Sequence, residues 1–195
     1  MSLDLDLLYS WGAIAKEYQK NEIIFRENEF AHFYFQIVEG SVRMFNINDD
    51  GKEFTQGYFY NGNSFGEPPL FIGATYPATA IVCENSKIIK LSKEKILKIL
   101  DEYPQFQKSF LLLLANRIHS KSITSKTIIN QKPEYRIMAF LEIHKKVKST
   151  EKQLVPFTRQ QIANFTGLRV ETVIRVFTKM KKENKIEIIN HKIYF

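Results

Sequence analysis

The sequence predicts an α+β chain in three successive parts: a sandwich or barrel of short strands, a long helix, and a small basic helix-turn-helix closed by a hairpin. Three observations carry this. Up to about Leu91 the apolar residues come in short aromatic and β-branched stretches, and from Ser92 onward they recur at helical spacing. Between Tyr103 and Pro133 there is no acidic residue, and the apolar positions step by three and four. Residues 1–132 hold 15 Lys and Arg against 15 Asp and Glu, whereas residues 133–195 hold 13 against 6, so the whole net charge of +7 lies in the last third. With 195 residues and 44% hydrophobic content, the chain can bury a core in one domain or, as we prefer, in two small ones.

The strand region runs from about Lys20 to Leu91 through "EIIFRE", "HFYFQIVEG", "SVRMFNI", "EFTQGYFY", "TAIVCEN" and "KIIKLS". Turn clusters such as "NDDGKE" and "YNGNSFGE" separate these stretches, and Gly40 and Gly62 suit turn positions. Ser92 is a candidate N-cap for a helix carrying Ile96, Ile99 and Leu100, and Pro104 opens a second helix that runs to about Gln131. Along it Phe106, Phe110, Leu113, Leu114, Ile118, Ile123 and Ile128 form an apolar stripe, which is expected to pack on a second copy of the chain. Pro133 marks a hinge, after which "PEYRIMAFLEIHKKV" restarts an amphipathic helix with Ile137, Phe140, Leu141 and Ile143 directed into a new core.

The stretch "TRQQIANFTGLRVETVIRVF", residues 158–177, then reads as two helices joined by a tight turn at Gly167. Ile162 and Ala163 face inward from the first helix; Val173, Val176, Phe177 and Met180 form one face of the second. Glu171, Arg175, Thr178 and Lys182 lie on the opposite face. Either Glu171 and Arg175 pair with each other as an i, i+4 surface ion pair, or they point at a partner. "KIEIINHKIYF" closes the chain as a hairpin turning near Asn190 and His191, a wing. A basic domain beside a neutral one favours a polyanionic partner, nucleic acid above all.

Several classes are disfavoured. The longest clear apolar run, "FLLLLA" from Phe110 to Ala115, is too short to span a bilayer, and the N-terminus has no leader-peptide pattern, so a cytoplasmic protein is expected. The single cysteine, Cys83, cannot form an internal disulfide or furnish an iron–sulfur or structural zinc site, and we read it as a core residue. His32, His119, His144 and His191 are scattered without ligand spacing, and no enzyme chemistry is expected.

Taken together, "IVEGSVRMF", "NSFGEPPLF" and "TRQQIANFTGLRVETVIRVF" resemble, in order and over nearly the whole chain, the Crp/Fnr family of bacterial transcription regulators. The resemblance implies a jelly-roll-like sensory β-roll of the cyclic-nucleotide-binding type at residues 1–103, a dimerisation helix and hinge at 104–132, and a winged helix-turn-helix at 133–195. It also implies a homodimer on a palindromic operator, with RNA polymerase as a further partner. The recognition helix matches at Glu171, Thr172 and Arg175, with Arg169 just before it. Arg175 has the donors for guanine O6 and N7, and Glu171 accepts from cytosine N4. Relatives sharing Val170-Glu171-Thr172 favour a TTGA-like half-site. Thr158, Arg159, Gln160 and Lys192 suit phosphate contacts that set register.

In the sensory half Gly66 and Glu67 match the family's ribose contacts. The phosphate-gripping arginine and its small polar neighbour fall instead on Tyr76 and Pro77 in "TYPATA", ahead of Ala78. Loss of that charge-assisted contact makes cyclic AMP an unlikely effector. On the long helix, Lys121 and Ser122 occupy the base-contacting positions, with a simple solvated lysine as the alternative for Lys121. The cysteine cluster of oxygen-sensing relatives is missing, which disfavours an iron–sulfur switch. Two other classes stay open: a small-molecule-binding module whose helix-turn-helix contacts protein, and a jelly-roll metal enzyme, for which clustered ligands are lacking.

Overall fold

A computed structural model describes residues 3–129, 132–145 and 152–195. They form two compact units, Met1–Arg117 and Ile118–Phe195.

The first unit opens with α1 (Leu5–Ser10), whose N-cap Asp4 accepts a hydrogen bond from the Leu7 N–H. Eight strands follow: β1 (Ile14–Tyr18), β2 (Ile23–Phe25), β3 (Phe33–Glu39), β4 (Ser41–Ile47), β5 (Glu53–Tyr60), β6 (Ser64–Phe65), β7 (Thr79–Val82) and β8 (Ser86–Ser92). They make two antiparallel four-stranded sheets, ordered β1-β8-β3-β6 and β2-β7-β4-β5. The chain crosses repeatedly from one sheet to the other, as a jelly roll does. Six of the strands lie where the aromatic and β-branched stretches predict them. The sequence reading missed α1 and β1, and its turn cluster "YNGNSFGE" in fact contains β6 and the first residue of α2 (Glu67–Ile72).

The core between the sheets holds Ile37, Phe65, Leu70, Ile88 and Ile89, all but inaccessible to solvent. Strand β3 departs from strict alternation, because Tyr34, Phe35, Gln36 and Ile37 are all buried. The N-terminal segment accounts for the polar member: the Leu3 N–H donates to Gln36 Oε1 at 3.1 Å and Gln36 Nε2 donates to the Leu3 carbonyl at 2.9 Å. A buried amide is tolerated only when its groups are paired in this way. Ile96 and Ile99 from α3 (Lys93–Glu102) complete the core; Ser92 stands at the N-cap position of α3 as expected, although its hydroxyl makes no capping bond.

The long helix α4 (Pro104–Ile129) starts at Pro104. Phe106 and Phe110 on its first turns pack into the roll, Phe110 against Tyr34 and edge-on to Phe71 at 5.5 Å between ring centres. They therefore belong to this core and not to an outward stripe. Among the described side chains, the large apolar residues left exposed on α4 are Leu111, Leu112, Ile118 and Ile123. The end expected near Gln131 lies outside the described residues.

In the second unit α5 (Pro133–His144), α6 (Arg159–Thr166) and α7 (Val170–Lys182) pack with β9 (Glu187–Ile189) and β10 (Lys192–Tyr194). The buried set is the one the helical spacing predicts: Ile137, Phe140 and Leu141 from α5, Ile162 and Ala163 from α6, and Val173, Val176, Phe177 and Met180 from α7. Ile143 is the exception; it lies on the outer side of α5 and is 48% exposed. Leu154 makes an isolated antiparallel bridge to Tyr194 beside the hairpin.

Candidate nucleic-acid interface

Helix α6 begins with a reciprocal cap. The Gln161 N–H donates to Thr158 Oγ1 at 3.2 Å, and the Thr158 N–H donates to Gln161 Oε1 at 2.8 Å. Thr158, expected at a phosphate, thus first fixes the start of the helix. Gly167 ends α6 with φ at +66°, its N–H bonded to the Ala163 carbonyl. A side chain at that left-handed position would be strained, so the glycine sets the sharp turn into α7. Thr166, buried beside it, satisfies its hydroxyl on the Ile162 carbonyl at 2.7 Å.

Val173, Val176, Phe177 and Met180 anchor α7, which puts Glu171 and Arg175 on solvent. Among the described residues they make no ion pair with each other or with any other group. Thr172 is half-buried, and Arg169 is exposed at the N-cap of α7 without a capping bond. Neighbouring lysines fare differently: Lys179 pairs with Glu134 at 2.6 Å, and Lys185 pairs with Glu183. Glu134, Glu183 and Glu187 are taken up in ion pairs with lysines, while among the described residues no ion pair forms at Arg169, Arg175, Lys182 or Lys192.

The wing is a tight two-residue hairpin in which Asn190 and His191 both take positive φ, +47° and +63°. Its tip is tied to α6, since Arg159 Nη1 donates to the His191 carbonyl at 3.3 Å. That bond orients the guanidinium of the half-buried Arg159. Gln160 is exposed with its amide bonded to Asn164 Oδ1 at 2.9 Å, and Lys192 is exposed at the start of β10. The geometry gathers Thr158, Arg159 and the wing at one end of α6, and Arg169, Glu171, Thr172 and Arg175 along α7.

The sensory candidates divide. Gly66 takes φ of +77° at the start of α2, and a Cβ there would come within 3.1 Å of Tyr76 and 3.2 Å of Phe25. Those two rings stack nearly parallel, 3.6 Å between centres at 10°, and Ala78 is buried behind them. Tyr76 thus fills with an aromatic ring the place where the resemblance puts a phosphate grip. Burial, and then the charges of Glu29 and Glu67, push its phenol pKa up to about 12, so it stays a neutral hydroxyl.

Glu67 has no solvent exposure. Its Oε2 accepts from Arg117 Nη1 at 2.6 Å, and Arg117 Nη2 donates to the Ser64 carbonyl at 2.7 Å. Among the described residues, buried Glu67 Oε1 has no hydrogen-bond partner. Burial and the Glu67 charge raise the pKa of Tyr34, whose hydroxyl donates to Gln36. Lys121 and Ser122 lie in the second unit, Ser122 bonding back to the Ile118 carbonyl at 3.0 Å. Sequence reasoning missed Arg117 and Phe25. The available signal for Arg117 was that it is the only Lys or Arg between Lys108 and Lys121 on a helix facing a roll that buries an acid.

Comparison with known proteins agrees with this division. Residues 15–103 match the cyclic nucleotide-binding domain family, and residues 135–195 match the Crp-like helix-turn-helix domain. The chain is 23% identical over 196 residues to the transcriptional activator protein anr of Pseudomonas aeruginosa, covering 98% of this chain and 80% of that one. Among solved structures, the c-di-GMP responsive global regulator CLP of Xanthomonas campestris superposes with a TM-score of 0.81 at 18% identity, over 97% of both chains. A CooA variant from Carboxydothermus hydrogenoformans gives a TM-score of 0.82 at 19% identity, over all of this chain and 91% of that one. With the two domain families matched in sequence order on a roll, a long helix and a winged helix-turn-helix, the chain belongs to the Crp/Fnr family of transcription regulators.

Proposed function

We propose that the protein acts in the cytoplasm as a homodimer that reads a palindromic operator with α7 and contacts RNA polymerase there. The observation that carries this reading is the exposed, unpaired Glu171 and Arg175 on a helix whose opposite face is fully buried. A protein that had no outside partner for them would gain by letting them pair at i, i+4. Arg175 suits a guanine and Glu171 the neighbouring cytosine, while half-buried Val170 offers apolar contact to a thymine methyl. Thr158, Arg159, Gln160 and Lys192 take phosphates. Two recognition helices related by a two-fold axis enter successive major grooves, so the half-sites lie about one helical turn, ~34 Å, apart.

Support for the dimer comes from α4, where Leu111 and Ile118, seven residues apart on one face, are each 68% exposed. Ile118→Glu or Leu111→Glu should give monomers with weakened operator binding; sedimentation of either variant as an unchanged dimer would remove α4 as the interface. The reading itself is tested by selecting bound fragments from random DNA with the full-length protein and measuring affinity against salt. An inverted repeat bound with steep salt dependence is expected, and a protein that enriches no sequence does not read DNA this way. Cyclic AMP is not the effector in this reading, since Tyr76 and Pro77 offer no cation for its phosphate. Calorimetry that found tight cyclic AMP binding would overturn that part alone.

A further inference from the structure

We propose that His144 is a positioning residue for the phosphate contacts of α6: its neutral ring completes an aromatic cluster that seats both ends of that helix, and uptake of a proton there releases the seat. This rests on the proposed function, in which Thr158, Arg159 and Gln160 take operator phosphates. The ring of His144, at the end of α5, meets Phe140 at 4.2 Å, Phe157 at 4.9 Å and 79°, and Phe165 at 5.6 Å between centres. The three phenylalanines also meet one another, at 5.2, 5.2 and 5.8 Å. Phe157 stands immediately before Thr158, the cap of α6, and Phe165 immediately before Thr166, its last residue. One four-ring cluster therefore presses α6 against α5 at both ends, and His144 is the only member that can become charged.

His144 Nδ1 lies 2.8 Å from the Phe140 carbonyl. A carbonyl only accepts, so Nδ1 carries the hydrogen and Nε2 is the lone-pair nitrogen of a neutral ring. The half-buried ring has a second side as well: with Lys145 and Phe195 it lines a crevice between the end of α5 and residues 153–156. Around it α5 brings Glu142 and Lys145, the segment before α6 brings Lys152, α6 brings Arg159, and β10 brings Lys192 and Tyr194. Glu142 is the one acidic side chain of these, and among the described residues no carboxylate pairs with the ring. Lys145, with its Nζ over the Phe195 ring at 5.2 Å, adds a like charge on the crevice side. Burial lowers the pKa of His144 below the ordinary 6.5, and the Phe140 carbonyl offsets only part of this.

An imidazolium carries a second N–H, at Nε2, for which three phenyl rings offer no acceptor and the crevice offers water. Protonation therefore draws the ring from the cluster toward the crevice and takes from Phe157 the contact that fixes the chain entering α6. Operator binding, which needs Thr158 and Arg159 in place, and proton uptake, which loosens them, oppose each other by linkage. Because the folded pKa is depressed, affinity is full above it and falls as pH drops through it, by at most about tenfold per pH unit for one proton.

The test uses the full chain with His191→Asn throughout, since a proton gained at the wing tip would favour a phosphate and act with the opposite sign. Into this background go His144→Phe, a ring that cannot titrate, and His144→Ala, which removes the ring. Affinity for an operator selected with the unaltered protein is followed from pH 7.5 to pH 5 at constant salt, and NMR of the free protein follows the imidazole and the amides of residues 158–162. With His144 present, affinity is expected to fall about threefold or more over that range, and His144→Phe to hold within about twofold of its own pH 7.5 value. His144→Ala should bind more weakly already at pH 7.5, and the amides should shift with the imidazole titration. A fall that persists in His144→Phe, or no fall with His144 present, overturns the proton's effect on reading. Amides that do not follow the imidazole, or a folded His144→Ala that binds undiminished, overturn the seating; if His144→Ala does not fold, the amides decide it. If the unaltered protein selects no operator, the proposed function fails, and the amide titration still decides whether His144 seats α6.

Discussion

The two units each hold a glutamate and an arginine that could pair, and they treat them in opposite ways. Glu67 and Arg117 lie fifty positions apart in sequence and meet at 2.6 Å in a site where the carboxylate has no access to water. Glu171 and Arg175 lie one helical turn apart, where pairing would be easy, yet both stay in solvent and make no ion pair among the described residues. Solvent explains the contrast. An exposed i, i+4 pair gains only about 0.3 to 0.5 kcal/mol, so water and a prospective ligand compete with it easily, whereas a buried carboxylate must keep its counter-charge. Water leaves the exposed pair apart, and burial holds the other together.

Breaking the buried pair should have the largest effect. Arg117→Ala is expected to cost the first unit about 3 kcal/mol, the low end for removing one partner of a buried pair because the arginine is 27% exposed, and chemical denaturation would measure it. Arg175→Ala should leave stability within about 0.5 kcal/mol, since its side chain touches no protein charge. It should instead cost about 1 to 3 kcal/mol in operator binding and relax preference at one G·C position, as read with single-base operator variants. If that variant keeps its preference at every G·C position, α7 does not read bases through Arg175. A smaller change is expected from Arg159→Ala, which should weaken all sequences alike and lower the salt slope by about 1.

The smallest effect concerns protonation in the second unit. His144 sits among Phe140, Phe157 and Phe165, with ring centres 4.2, 4.9 and 5.6 Å away. Burial lowers its pKa below the ordinary 6.5, and the hydrogen bond with the Phe140 carbonyl only partly offsets this. The unfolded chain therefore binds the proton more readily than the folded one. The resulting stability is fully present above about pH 6.5 and is lost as pH falls toward the depressed folded value. Thermal unfolding followed between about pH 7 and pH 5 should show the decline, and His144→Phe should flatten it.

Legibility in the sequence was uneven, and particular residues show why. The set Val173, Val176, Phe177 and Met180 could be read directly, because a helix that buries one face repeats its apolar residues at its own period. Phe106 and Phe110 fitted that rule too, yet their spacing could not say which neighbour they would meet; they pack into the roll while Leu111 and Ile118 face outward. Ile143 misled for a similar reason, being apolar at a plausible position on α5 and still 48% exposed. Buried Gln36 broke the alternation of β3 because its partner is the Leu3 backbone, thirty-three positions away.

Local order was determined by the sequence alone. The strand stretches, the Pro104 and Pro133 helix starts, the turn at Gly167 and the basic excess after residue 132 follow from interactions among residues close in the chain or from composition, and these need no tertiary context. Tertiary structure decided which charges are hidden and which are offered. That Arg117 finds Glu67, and that Tyr76 stacks on Phe25, depend on contacts fifty or so residues apart, whose geometry only the closed roll sets. Burial is a property of the whole packed unit, and it is burial that holds one Glu–Arg pair together and leaves the other open to water.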